Sequence, residues 1–394
     1  MLAHDDKDII ERIKSGYSLP SLSTVAMKLV DMASSETSSI DEMSNLIEKD
    51  PALTVRLLKT ANSAFFKTQQ PITTVDQSIM RIGINHLRMM ALSLSLRDTF
   101  PLGKVGSMDY EKFWRASVYQ ALLAKSLAVQ LKTCKPEEAF VAGLVLEIGF
   151  LIFHDLFVKN SNIKFEGRLY PIEDQIAWEE ENFGTNHRKV GKAALTFWQF
   201  PPVIVECQDY YAASISDENI PPLARMTVVA HEFSSLICDE SLQWETIFSK
   251  TEHIYKIDHD ILTDILISTF EDVEQLSASL KVEMSRQKDI IALIEKAHVT
   301  LNTLSNKLPT PDGLPPSFSS LAESLGDARV RSALQAVAHE IRNPLVAVGG
   351  FARKLAASID PASPEWQYVE VIEKEATRLQ KAISIMTGNI KSAN

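Results

Sequence analysis

The amino-acid sequence predicts an all-α protein of two or three folding units. Glycine is scarce, at 14 of 394 residues, and few segments alternate strictly between apolar and polar side chains. Apolar residues instead recur at spacings of three and four almost throughout the chain, which is the period of an amphipathic helix. Because domains usually contain roughly 100 to 200 residues, a chain of this length is expected to fold as more than one unit.

Composition and charge exclude several classes of protein. Hydrophobic residues make up 45% of the chain and charged residues 23%, as in ordinary globular proteins. The formal net charge of −11 argues against nucleic acid or an anionic membrane as a partner. The three cysteines form no CxxC pair, and the N-terminus lacks a signal-peptide layout, so we expect a cytoplasmic protein. The most apolar stretch, residues 140–153, is shorter than the roughly 20 residues that span a bilayer.

Prolines and capping residues mark the helix starts in the first 270 residues or so. Asp50-Pro51 predicts a helix from Ala52, because aspartate can accept hydrogen bonds from the free N–H groups and proline is tolerated in the first turn. Pro20 lies near the start of an earlier helical pattern. Further breaks fall at Pro101 to Asp109, Pro136, Pro171, Pro201-Pro202 and Pro221-Pro222. The region is therefore predicted to consist of short helices with tight connections.

A long helix is predicted over residues 270–308. Its apolar residues keep a near-heptad spacing, with Gln287 and His298 in register, where polar residues cost stability but fix alignment. We interpret this segment as a coiled coil; the alternative is a helix that lies on the first domain. Residues 309–327 begin with a proline-rich stretch that cannot continue the helix, and they are predicted to be a linker.

The C-terminal region, residues 328–390, is predicted to be an antiparallel helical hairpin. One apolar stripe runs from Val330 to Ile359, a turn follows at Asp360 to Pro364, and a second stripe runs from Trp366 to Ile390. Two helices alone bury such stripes poorly. Pairing of two hairpins into a four-helix bundle would cover them, so the sequence predicts a homodimer.

One histidine of the first hairpin helix has the surroundings of a phosphoryl acceptor. His339 lies two residues from the nearest positions of the stripe and so points away from it, while Asn343 lies about 40° from it on the same face. Imidazole is a nucleophile near neutral pH, and the adjacent Glu340 can orient it or accept its proton. Pro344 removes a backbone hydrogen bond, so we expect the helix to bend there.

The string His339-Glu340-Ile341-Arg342-Asn343-Pro344-Leu345 strongly resembles the H-box of sensor histidine kinases, and Arg378-Leu379 resembles the second helix of the same dimerisation and phosphoacceptor domain. The resemblance implies that His339 is phosphorylated on a ring nitrogen, with Glu340 as its acid/base partner. It implies that Asn343 positions the γ-phosphate or the attacking water, and that the phosphoryl group passes to a response-regulator receiver domain. The alternative is a surface histidine on a structural coiled coil.

A kinase of this family also needs an ATP-binding domain with an Asn-containing box and a Gly-rich lid, and neither motif is found in these 394 residues. We therefore expect the chain to bind no cofactor itself. ATP and magnesium would act through a separate ATP-binding domain, or through one that is missing because the chain is a truncation of a longer kinase.

Short motifs follow one another in a definite order over residues 15–240. They are Leu19-Pro20-Ser21-Leu22, Asp50-Pro51-Ala52-Leu53, Leu57-Leu58, Asn62-Ser63, Ser78-Ile79, Ile82-Gly83, Phe113-Trp114, Ala142-Gly143-Leu144, Ile148-Gly149, His187, Val190-Gly191 and Trp198. In this order they resemble the HDOD domain, an all-helical relative of HD-type metal phosphohydrolases. A helical extension is expected to continue to about residue 269.

The resemblance also shows which metal ligands are missing. The positions of the family's ligands are occupied by Ala116, Leu146-Glu147, Tyr210-Tyr211 and His231-Glu232. Only His187 is in register, so we expect no metal and no hydrolysis. His187 is expected to be a hydrogen-bonded histidine, and whether it forms a residual pocket with Tyr210 and Tyr211 stays open. The dipeptide His154-Asp155 is out of register and is expected to be a packed or surface pair.

The sequence thus favours a two-component signalling protein in which a non-catalytic HDOD domain controls a phosphoacceptor hairpin through the 270–308 helix. Two alternatives remain. One is an interaction scaffold whose hairpin only dimerises, and the other is an HD-type metal phosphohydrolase.

Overall fold

The protein is described by a computed structural model with gaps. The described residues are 19, 22–34, 39–62, 72–101, 103–159, 161, 163, 171–211, 219–238, 257, 261–262, 264–266, 268–270, 272–273, 345, 348–357, 359, 361 and 364–391. The chain divides into two compact units, one of residues 1–239 with 268–286 and one of residues 240–267 with 287–394. Within the described ranges every element except one small hairpin is helical, so the all-α prediction is confirmed.

The first unit begins with five helices. They are α1 (Thr24–Ser34), α2 (Ile40–Glu48), α3 (Pro51–Ala61), α4 (Val75–Ile82) and α5 (Ile84–Arg97). The predicted start at Asp50-Pro51 is confirmed, because Asp50 Oδ1 accepts a hydrogen bond of 3.0 Å from the Leu53 N–H. Ser39 caps α2 by a reciprocal pair of hydrogen bonds with Glu42, which satisfies two N–H groups of the first turn.

A two-stranded antiparallel hairpin separates these helices from the rest of the unit. Strands β1 (Lys104–Val105) and β2 (Met108–Asp109) meet at a turn where Gly106 adopts a φ of +61°. The sequence predicted only a break between helices here. Strands of two residues are too short to show the alternation on which strand prediction depends.

The remaining helices enclose the core of the first unit. They are α6 (Tyr110–Leu131), α7 (Pro136–Val145), α8 (Ile148–Phe153), a π-helix (His154–Val158), α9 (Ile172–Phe183), α10 (His187–Phe197), α11 (Pro202–Glu206), a 3-10 helix (Cys207–Asp209) and α12 (Pro222–Cys238). The starts predicted at Pro136, Pro171, Pro201-Pro202 and Pro221-Pro222 are confirmed. Helix α6 packs against α7 and α12, and α8 packs against α10.

The helical run Pro136–Val158 is longer than the 14-residue apolar stretch noted in the sequence. Its 23 residues are long and apolar enough to cross a membrane by length and composition. However, 89% of its most apolar window is buried inside the protein. Burial in the core of the first unit therefore accounts for its composition.

Residues 268–270 and 272–273 are helical and pack on α6 of the first unit. The Phe270 ring meets the Tyr119 ring edge-to-face at 6.2 Å, and Lys125 Nζ lies 2.8 Å from Asp272 Oδ2. The described beginning of the 270–308 segment therefore lies on the first domain, as the alternative to a coiled coil proposed. The rest of that segment and the predicted linker 309–327 lie outside the described residues.

The second unit contains both arms of the predicted hairpin: residues 348–357, called here the first arm, and α13 (Pro364–Lys391). Eight of the predicted stripe positions are buried, namely Leu345, Val348, Ala352, Leu355, Val369, Ile372, Ala376 and Leu379, whereas Ile359 and Trp366, on either side of the turn, are half-buried. The two arms approach closely at Gly349, where a Cβ atom would lie 3.2 Å from Ala376 Cβ. These residues are already buried within a single chain, so their burial does not by itself require a second copy. The homodimer stays a prediction.

Candidate functional site

The residues predicted to carry phosphoryl transfer, His339, Glu340 and Asn343, lie outside the described residues. Of the string 339–345 the structure describes Leu345, which is fully buried. The polar site that the structure does describe surrounds His187, in the first unit.

Two glycines create this site by letting two helices touch. A Cβ atom on Gly149 of α8 would lie 2.0 Å from the His187 carbonyl oxygen and 2.5 Å from the Gly191 nitrogen. No side chain fits there, so the backbones of α8 and α10 cross in direct contact. As a result Glu147, just before α8, and His187, the first residue of α10, are held side by side.

The His187 imidazole lies between two buried carboxylates. Its Nδ1 is 2.6 Å from Glu179 Oε2, and its Nε2 is 2.9 Å from Glu147 Oε2. The backbone N–H of His187 also donates to Glu179 Oε2, at 2.7 Å. Burial disfavours a charged imidazole, but the charge of Glu179 and the hydrogen bonds to both carboxylates outweigh it and raise the pKa of His187 to about 9. His187 is therefore protonated at neutral pH and donates from both ring nitrogens.

The second oxygen of Glu147 holds two further groups. Arg188 Nη2 donates to Glu147 Oε1 at 2.7 Å, and His231 Nδ1 lies 3.1 Å from the same oxygen. Burial would raise the pKa of Glu147, but the charges of Arg188 and His231 and the hydrogen bonds from His187 and His231 hold it well below its usual value. Glu147 is thus a buried, ionised carboxylate that joins α8, α10 and α12.

The network reaches α6 and α7 through an amide. His231 Nδ1 lies 3.0 Å from Gln120 Oε1, and Gln120 Nε2 donates to the Gly143 carbonyl oxygen at 2.7 Å. One chain of polar contacts therefore links α6, α7, α9, α10 and α12 with Glu147, which directly precedes α8.

This arrangement does not fit the metal centre of an HD-type hydrolase. A metal needs ionised carboxylates and neutral imidazoles, whereas here His187 is protonated and each oxygen of Glu147 accepts a hydrogen bond from a cationic donor, His187 or Arg188. The positive charges of His187 and Arg188 balance the negative charges of Glu147 and Glu179 without an ion. Among the described side chains, no group of three or more His, Cys, Asp or Glu is placed to hold a metal.

The other residues singled out in the sequence lie after the 3-10 helix and at the start of the π-helix. Tyr210 and Tyr211 are half-buried and follow the 3-10 helix, whereas the neighbouring Gln208 is buried and approaches Gly191 of α10. His154 Nε2 lies 2.9 Å from Ser107 Oγ of the β-hairpin, and its Nδ1 is 3.9 Å from Asp155. His154-Asp155 is thus a packed pair, as expected from its register.

Sequence reasoning missed Glu179 and Arg188, and it treated Glu147 only as a lost ligand. A signal for Glu179 was present. Ile172, Ile176 and Glu179 are spaced by four and three residues on α9, so the carboxylate lies on the apolar face of that helix. An acid in that position needs a buried partner. For Arg188 the sequence offers no comparable signal.

Comparisons with known proteins bear on both units. The HDOD domain model matches residues 19–213, and the His Kinase A (phospho-acceptor) domain model matches residues 329–386. The Bacillus subtilis (strain 168) protein YuxH, itself uncharacterised, is 26% identical over 145 residues, which is 37% of this chain and 35% of YuxH. The chain therefore spans about a third of that relative's length.

Two crystal structures share the fold. A Shewanella amazonensis SB2B protein provisionally named a phosphohydrolase is 23% identical with a TM-score of 0.52, covering 68% of this chain and 97% of that one. A Marinobacter aquaeolei VT8 protein provisionally named a signal transduction protein is 16% identical with a TM-score of 0.52, covering 70% and 64%. At these identities the likeness concerns the fold alone.

Proposed function

Because this chain contains an HDOD domain and a His Kinase A phosphoacceptor domain, it is a signalling protein of two-component type, and we propose that the HDOD domain controls phosphorylation of His339. The observation that carries the proposal is the H-box string 339–345, which lies inside the matched phosphoacceptor domain. We further propose that the protein works in the cytoplasm as a homodimer.

In the proposed reaction a ring nitrogen of His339 attacks the γ-phosphorus of ATP held by a separate ATP-binding domain. The N–P bond forms while the bond to ADP breaks, and Glu340 accepts the proton that the imidazole gives up. Asn343 holds the γ-phosphate in line. An aspartate of a response-regulator receiver domain then takes the phosphoryl group.

The proposal assigns the HDOD domain a sensory role without hydrolysis. Its support is the charge balance around Glu147, whose two oxygens already accept hydrogen bonds from His187 and Arg188. A carboxylate whose oxygens are engaged by cationic donors has little remaining charge with which to hold a catalytic metal or activate a water. The buried network is therefore a structural element of the domain rather than a reaction centre.

The test is phosphorylation of the full chain by an ATP-binding domain of this kinase family, supplied in trans with ATP and magnesium. We expect acid-labile phosphate on the wild type and none on His339→Ala. His298→Ala is the matched control, a histidine of the preceding heptad segment without an H-box, and it should label normally. Label that persists on His339→Ala, or a wild type that never labels, would favour the scaffold alternative.

A further inference from the structure

The first arm of the hairpin is buried at the level of residues 348–352, although Arg353 and Ala357 are exposed. Five consecutive residues, 348–352, are buried. At 100° per residue they cover more than one full turn of helix. A helix that packs on one partner only would leave exposed positions within such a turn, so the first arm has at least one neighbour besides α13.

The direction of each neighbour follows from the helix geometry. Gly349 faces α13, since a Cβ atom there would lie 3.2 Å from Ala376 Cβ. Phe351 is about 200° around the helix from Gly349, and Lys354, three residues further on, lies on the Phe351 side. Lys354 Nζ is 2.7 Å from Asp264 Oδ1. One neighbour on the Phe351 side is therefore the helical segment that contains Asp264, of which residues 261, 262 and 264–266 are described; it is called here the clamp segment.

The clamp segment is well suited to cover an apolar face. Leu262, Ile265 and Leu266 are all fully buried, while Asp264 is half-exposed and carries the ion pair. The clamp segment and the first arm also belong to the same compact unit. The residues that follow directly, 268–273, are fixed on α6 of the first unit through Phe270 and Asp272.

We infer that the clamp segment is an intrachain competitor of hairpin dimerisation. At the level of residues 348–352 no side of the first arm is free, so a second copy of the chain can reach it there only if the clamp segment leaves. The inference rests on the proposed function, which supplies the homodimer. It adds a segment of the same chain that opposes formation of that dimer.

The test is the dimer dissociation constant of the full chain, measured by sedimentation over a concentration series. Asp264→Lys and Lys354→Asp each break the ion pair, and each should tighten the dimer about twofold to fivefold, the range of a partly exposed pair. The double variant should return to the wild-type constant. Lys192→Asp is the matched control, because it breaks an equally exposed pair with Asp209 in the other unit, and it should change nothing.

A stronger variant is Leu262→Asp, which places a charge at a fully buried position of the clamp segment itself. It should weaken the packing of the clamp segment and tighten the dimer about tenfold or more. A dimer constant that stays at the wild-type value in Leu262→Asp and both single ion-pair variants would overturn the inference. Labelling of His339 in the same samples separates the two proposals. If the variants tighten the dimer but His339 is never phosphorylated, the clamp is supported and the phosphoacceptor function is contradicted. If His339 is phosphorylated but the dimer dissociation constant does not change, the phosphoacceptor function is supported and the clamp is contradicted.

Discussion

Charged residues are used differently in the two units. In the first unit Glu147, His187 and Arg188 are buried together and hold helices in place. On α13 the pairs lie at the surface, such as Arg378 with Glu375, within one turn of the same helix. The comparison shows that burial, rather than residue type, decides whether an ion pair organises a fold. Exposed pairs contribute little because water competes for both partners.

Glycine substitutions should give the largest contrast between the units. Gly149→Ala would force a Cβ atom against the backbone of α10, at a cost of more than about 3 kcal/mol, and should prevent the first unit from folding. Gly349→Ala meets only the Ala376 methyl at 3.2 Å and gains helix propensity, so the net change should stay within about 1 kcal/mol. Thermal unfolding by circular dichroism measures both. Similar melting curves for the two variants would contradict the direct backbone crossing.

Removing one carboxylate from each unit gives the next largest contrast. Glu147→Gln leaves Arg188 and the protonated His187 buried beside a neutral group, so we expect a loss of about 3 to 5 kcal/mol in the free energy of unfolding. Glu375→Gln should cost less than about 0.5 kcal/mol, because Arg378 stays hydrated. Urea unfolding at neutral pH checks both values. An equal loss of stability in the two variants would mean that burial does not determine how much an ion pair contributes to the free energy of unfolding.

The smallest effect is a pH dependence specific to the first unit. The folded pKa of His187, about 9, lies above its unfolded value of 6.5, so the stabilisation is complete below pH 6.5 and is lost as the pH rises towards 9. The loss amounts to at most about 3 kcal/mol. Glu147 acts in the opposite direction, since its lowered pKa makes stability fall when the pH drops below about 4.5. In His187→Gln the free energy of unfolding, measured by urea unfolding at several pH values, should no longer fall between pH 6.5 and 9. If the same fall persists in that variant, another group causes it.

Prediction from sequence succeeded where the cause is local. The helix start at Asp50-Pro51 depends on a cap three residues from its donor, and the buried stripe from Val369 to Leu379 depends on spacing along one helix. The network around Glu147 joins it to His187, 40 positions further along the chain, and to His231, 84 positions further along. No local sequence pattern contains that information. The cover on the Phe351 side was missed for the same reason, since Asp264 is 90 residues from Lys354.

The crossing at Gly149 and Gly191 also determines how the HDOD domain can move. With backbone against backbone, α8 and α10 have no layer of side chains between them that could repack and let one helix slide past the other. The two helices therefore behave as a single rigid piece, with Glu147 and His187 attached to it. A movement of one of these helices would therefore carry the other with it and shift their outer surfaces, without rearranging the buried charges between them.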